Sequence, residues 1–190
     1  MKYEILNFKD LPGDLILAGK PRIKFYGPEN ENHSRRRFLS PDGKLFYKTW
    51  DSDYVRRNKL PNALDAGFYD EKLIPAFRAL ILDEDEVCRG YLMAAMEKGS
   101  IPPDDEFLQH IKEKTRKSKY FFYDFWRASI MEYEGKPCLI DLESVYPVCE
   151  YDFRKQQNKD VYKKEGHLIK NPDYREFVEK LYKDIYESQS

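Results

Sequence analysis

Ser40-Pro41-Asp42-Gly43 constrains this chain more than any other stretch of its sequence. Proline presets the backbone for the second position of a turn, and glycine accepts the left-handed conformation on which a turn closes. The chain must therefore reverse here. Arg35 to Leu39 precedes the turn and Lys44 to Trp50, rich in aromatics, follows it. Both read as strands, and strands joined by so short a connection pair antiparallel. Arg22 to Tyr26 alternates and adds a strand before them, across the polar loop Gly27 to Asn32. Further on, Ala76 to Leu82 and Val87 to Met93 flank Asp83-Glu84-Asp85-Glu86, which reads as a hairpin with a solvated acidic tip. The first half is thus expected to hold five antiparallel strands. One helix interrupts them over residues 51–67, anchored by Tyr54, Val55, Leu60 and Leu64 and stopped at Gly67. Pro61 must end, kink or start that helix. Residues up to about Leu17 read as a mixed lead-in turned by Pro12-Gly13.

The second half changes character. Asp104 or Asp105 is a good N-cap for a helix running to about Lys119, whose basic tail suits a helix C-terminus. Ile130 to Glu132 and Pro137 to Leu142 flank Tyr133-Glu134-Gly135-Lys136, a second hairpin. Asn171-Pro172 opens a last helix with Phe177, Val178, Leu181, Tyr182 and Ile185 on one face. The order implies an α+β chain in two lobes: residues 1–97, a hinge over 98–104, and residues 105–190.

Composition sets outer limits. The 33 basic and 34 acidic residues leave a net charge of −1, without the basic excess of a dedicated nucleic-acid binder. The first 60 residues are nonetheless basic by five charges, able to face an anionic ligand. Three cysteines without metal-type spacing suit a reducing cytoplasm. The most apolar run, Leu73 to Leu82, is broken by Arg78 and is too short to span a bilayer.

Three charged residues stand in apolar surroundings, where charge costs free energy unless paired or bound to a metal. Lys48 lies in an aromatic strand with Phe46 and Trp50 on its own face. Asp124 interrupts Tyr120-Phe121-Phe122-Tyr123-Asp124-Phe125-Trp126, and Asp141 ends Cys138-Leu139-Ile140-Asp141. Any one of them alone reads as well as a capping or ion-paired core residue. In this order and spacing, over roughly residues 20–145, the chain resembles the protein-kinase-like fold, nearest its compact aminoglycoside- and choline-kinase-type branch.

The resemblance implies a two-lobed α+β structure, a five-stranded antiparallel N-lobe and a reduced helical C-lobe. It implies an ATP- and Mg-dependent phosphotransferase acting on a hydroxyl acceptor, either a small molecule or a protein. Lys48 would contact the ATP phosphates and pair with an acid downstream, Asp65 or alternatively Glu71. Ala95 and Met96 fall where the adenine-binding segment should be, and Arg35 lies on the strand after the phosphate-covering loop. Asp124 would be the catalytic base, with Arg127 either neutralising phosphoryl charge or making a surface ion pair. Asp141 would hold the metal, with Ser129 at the position of the family's asparagine and Glu143 as a second carboxylate.

The chain also departs from the pattern. Its phosphate-covering loop has one glycine and two glutamates, Tyr123 and not a histidine stands immediately before Asp124, and 49 residues follow Asp141. These departures motivate a second expectation, a catalytically idle pseudokinase that binds nucleotide or regulates. Nucleotidyl transfer and an unrelated α+β interaction domain are the remaining alternatives.

Overall fold

The structure is a computed structural model. It describes residues 2–18, 22–26, 31–50, 60–96, 100–125, 129–162 and 169–187, with backbone alone for 22–26, 31–35 and 157–162. The protein is mixed α+β, and its contacts cluster into two compact units. One comprises Met1–Asn58 with Ala76–Glu97, and the other Lys59–Pro75 with Lys98–Ser190. Residues 59–75 thus go with the second unit, although strands of the first unit flank them in sequence.

The first unit is a sheet. Its strands are β1 (Glu4–Asn7), β2 (Ile16–Leu17), β3 (Arg22–Tyr26), β4 (Glu31–Leu39), β5 (Leu45–Trp50), β6 (Phe77–Leu82) and β7 (Cys88–Ala94). They run in the order β1-β6-β7-β5-β4-β2, with β3 also on β4. The five expected strands are present as β3 to β7, and every pairing among them is antiparallel. The expected total of five is corrected to seven among the described residues, and the sheet is mixed. The lead-in supplies β1, which pairs parallel with β6, and β2, which pairs with β4. Strand β4 starts at Glu31, earlier than expected, so Glu31 and Asn32 stand on a strand and not in the loop.

The turn at Ser40 closes through side chains. Ser40 Oγ donates to Asp42 Oδ1 at 2.5 Å and accepts from the Leu45 amide at 3.0 Å. Gly43 takes φ +71°, as a turn-closing glycine can. Alternation along β5 sends Tyr47 to one face, where it packs with Ala79, Ile81 and Leu92 beneath Leu6, Leu11 and Leu15 of the lead-in. Lys48 and Trp50 therefore fall on alternate sides of that strand from Tyr47 and Thr49.

The second unit is built on helices α1 (Leu60–Asp65), α2 (Asp105–Ser118), α3 (Tyr151–Tyr162) and α4 (Pro172–Tyr182). Two short antiparallel pairs join them: β8 (Tyr120–Phe122) with β11 (Val145–Pro147), and β9 (Ile130–Tyr133) with β10 (Lys136–Leu139). The helix expected over 51–67 is α1 where it is described; residues 51–59 lie outside the described residues. Asp104 caps α2 by accepting from the Phe107 amide at 2.8 Å, and Asn171 caps α4 by accepting from the Tyr174 amide at 2.9 Å. Phe107, Ile111 and Thr115 form the buried stripe of α2 at a spacing of four. The Tyr174 hydroxyl, wholly buried on α4, meets Thr115 Oγ1 at 2.8 Å and the Phe122 amide at 3.1 Å. One phenol thereby ties α2 and α4 to the strand that leads to Asp124.

No helix among the described residues is long and apolar enough to cross a membrane.

Candidate functional site

Lys48 is 3% exposed, on a central strand of the sheet. It stands opposite Tyr91 of β7, with its ammonium 5.8 Å from that ring's centre. Tyr91 in turn meets Trp50 edge-on at 5.8 Å, and the Trp50 indole donates to the Cys88 carbonyl at 3.1 Å. The lysine is thus held by an aromatic wall on its own unit. Gly90 makes this possible, because a Cβ there would stand 2.1 Å from the Lys48 carbonyl oxygen. Ala95 and Met96 are half-buried at the end of β7, and the Ala95 amide donates to the Lys44 carbonyl at 2.7 Å. That bond fixes the first residues of the expected adenine segment to the sheet. Arg35 is on β4 opposite Trp50. An open groove lined by Tyr3, Leu45, Phe77, Arg78 and Leu92 involves the Tyr47 side of the sheet, to which Leu92 belongs.

In the second unit the Asp124 loop and the Asp141 turn are stitched together. Strand β8 runs into Asp124 and β11 runs out of the Asp141 turn, and these two strands pair. The pairing continues past β8, where the Tyr123 amide donates to the Ser144 carbonyl at 2.7 Å. On the other side of both aspartates, the Ile140 amide donates to the Ser129 carbonyl at 2.9 Å. Two stretches 17 residues apart in sequence are therefore fixed at both ends of each carboxylate-bearing segment. Both aspartates are half-buried.

Each loop has further supports. Ser129, wholly buried, donates its hydroxyl to the Asp124 carbonyl at 2.5 Å. The amides of Lys170 and Asn171, entering α4, donate to the Phe125 carbonyl at 2.9 and 3.2 Å. Asp141 has φ +57°, a left-handed conformation that costs a non-glycine residue about 1–2 kcal/mol. The Ser144 amide closes the turn on the Asp141 carbonyl at 3.0 Å. Glu143 is 2% exposed. Tyr69, buried beside this turn, donates to the Leu142 carbonyl at 2.6 Å. Burial, and then the nearby Glu143 charge, push its phenol well above the ordinary range.

The expected site residues are thus placed differently from one another. The backbone segments that carry Asp124 and Asp141 are brought together. Ser129 and Glu143 are buried in the same framework: the serine hydroxyl is engaged with backbone, so it serves as a clip under the Asp124 loop. Asp65 is exposed at the end of α1 and Glu71 is exposed beyond it. Arg127 lies outside the described residues. Among the described residues no three His, Cys, Asp or Glu side chains converge as a metal cage.

Sequence reasoning missed Tyr69 and the neighbouring Asp70. Asp70 Oδ2 accepts from Lys114 and meets His110 Nε2, each at 2.8 Å, while its Oδ1 accepts from the amides of Lys72 and Leu73. Burial raises the Asp70 carboxyl, but the hydrogen bonds from Lys114 and His110 outweigh it and hold the group below its ordinary value.

No protein-family model matches the chain, and no curated protein matches it.

Proposed function

We propose that the protein is an ATP-dependent phosphotransferase of the kinase-like type, with Asp124 as base and Asp141 as the metal-side carboxylate. The observation that carries this reading is the stitching of the Asp124 loop to the Asp141 turn by Tyr123–Ser144 and Ile140–Ser129. Two carboxylate-bearing segments joined by backbone hydrogen bonds suit phosphoryl transfer, because its catalysis is mostly positioning and charge neutralisation. In the first unit, a buried lysine on a central strand supplies a fixed cation for phosphate oxygens.

The step balances simply. Asp124 takes the proton of an acceptor hydroxyl as that oxygen attacks the terminal phosphorus, and the bond to the bridging oxygen breaks to release ADP. Mg²⁺, when bound with the nucleotide, would spread the phosphate charge and favour the leaving group. Asp141 would hold that ion, and Ser129 and the α4 entry hold the Asp124 loop. The acceptor is a hydroxyl compound or protein side chain. A cytoplasmic setting accompanies this reading, since ATP is abundant there.

The engaged Ser129 hydroxyl favours one competing reading, a protein that binds nucleotide without transferring phosphate. Thermal unfolding with ATP and Mg²⁺, with ATP and EDTA, and without either decides the first stage. Ligand at 100 times its dissociation constant adds about 2.7 kcal/mol, at roughly 2–4 °C per kcal/mol for a chain of this size. A metal-dependent rise of roughly 5–11 °C supports the site. No shift at saturating ATP rejects it. Phosphate transfer lost in Asp124→Asn with the thermal shift retained separates catalysis from mere binding.

A further inference from the structure

The backbone around Asp141 is held from outside its own loop, by one short segment. On the near side, the Leu139 amide donates to the Leu73 carbonyl at 2.8 Å. On the far side, the Tyr69 hydroxyl donates to the Leu142 carbonyl at 2.6 Å. Both donors and acceptors of this bracket are in the second unit. Residues 69–73 therefore grip Asp141 two residues before it and one residue after it. The segment is itself anchored: Asp70 binds Lys114 and His110 of α2 and caps the Lys72 and Leu73 amides.

This bracket bears on an uphill conformation. Asp141 sits in the left-handed region, which neither a helix end nor a two-residue hairpin imposes here. Strained residues of this kind persist only when their surroundings over-determine them. Leu142 is wholly buried, so its carbonyl has the Tyr69 phenol as donor in a place remote from solvent. The Tyr69 ring is fixed in turn by Phe68, edge-on at 4.9 Å.

We propose that Tyr69 is a positioning residue for Asp141: its hydroxyl, with the Leu73–Leu139 bond, locks the turn that aims the carboxylate. The consequence for nucleotide rests on the phosphotransferase reading above, whereas the lock itself does not. With the lock in place the carboxylate is preorganised for the metal. Without it the turn relaxes toward ordinary backbone conformations and must be reordered by each incoming metal–nucleotide complex.

The test is Tyr69→Phe, which keeps the ring and removes the hydroxyl, compared with wild type and Asp141→Asn. Two measurements are made on the full chain. Hydrogen exchange is followed in peptides spanning residues 138–145, with α4 as internal reference. The Mg²⁺ concentration giving half of the ATP-dependent thermal shift is measured in parallel. Expected in Tyr69→Phe is exchange about three- to tenfold faster over 138–145 with α4 unchanged, and a several-fold higher Mg²⁺ requirement. Exchange unchanged over 138–145, or faster to the same degree in α4, overturns the lock. Faster local exchange with a wild-type Mg²⁺ requirement, where Asp141→Asn loses metal dependence, overturns the positioning role and leaves Tyr69 structural. If Asp141→Asn keeps wild-type metal dependence, the metal assignment of Asp141 fails, and the exchange result still decides the lock.

Discussion

Gly90→Ala tests how tightly the sheet is drawn around Lys48. Gly90 is opposite Thr49 on β5 and Ile81 on β6, so both neighbouring strands constrain it. An alanine Cβ would stand 2.1 Å from the Lys48 carbonyl oxygen, 3.0 Å from Thr49 Cα and 3.1 Å from the Lys48 carbonyl carbon. All three atoms are backbone, so no side chain can swing aside. Ordinary contact begins near 3.4 Å, and β5 and β7 must therefore part locally by about 1 Å or more. Overpacking of this kind costs roughly 1–3 kcal/mol and at times more. At about 2–4 °C per kcal/mol the unfolding midpoint should fall by roughly 2–12 °C. Calorimetry or far-ultraviolet circular dichroism reads this directly. The displacement also moves the Lys48 backbone, so the ATP-dependent shift should shrink further than the loss of stability explains. A variant melting within 1 °C of wild type (about a quarter to half a kcal/mol), with an undiminished ATP shift, would show that the strands separate freely and that Gly90 does not set the lysine.

Three other outcomes are expected. Lys48→Met should abolish the ATP-dependent thermal shift while the protein stays folded by circular dichroism; a wild-type shift would remove Lys48 from the phosphate site. Tyr174→Phe strands the buried Phe122 amide and should cost about 1–3 kcal/mol by denaturant unfolding, with a change under half a kcal/mol counting against the Thr115–Tyr174–Phe122 tie. Asp70 is held below its ordinary value of 3.8 in the folded protein, so its contribution is complete above that pH and disappears as pH falls through the lower folded value. The stability advantage of wild type over Asp70→Asn should therefore shrink as pH drops below 3.8, and an advantage constant through that window would refute the ion-pair account.

The hairpins were legible because their signals are local. Ser40 to Gly43, Asp83 to Glu86 and Glu134-Gly135 each announce a reversal within four residues. Strands β1 and β2 were not legible, because Ile5, Ile16 and Leu17 are exposed and break the rule of apolar residues facing inward. What defines β1 is a parallel partner 75 residues away, which no local pattern encodes. The pair β8 and β11 is only three residues long on each side, too short to alternate visibly. Asp124 and Asp141 stood out because a charge in an apolar run needs a reason. Ser129 was found by its interval from Asp124, but its hydroxyl is spent on the loop backbone, a difference that spacing cannot express. Tyr69 gave no signal: it is one aromatic residue among many, and its acceptor lies 73 residues downstream.

The assignment of residues 59–75 to the second unit has a consequence for making the protein in pieces. The polypeptide passes from one unit to the other at 58/59, 75/76 and 97/98. On a ribosome, Tyr69 and Leu73 emerge well before Leu139 and Leu142, so these early residues must wait for partners about 70 residues later. A fragment ending near residue 97 would carry that segment with its apolar side chains Phe68, Leu73 and Ile74 uncovered, and a fragment starting near 98 would lack the clamp on its own aspartate turn. Expression as two contiguous halves should yield insoluble material from the first, while co-expression of both halves should restore it.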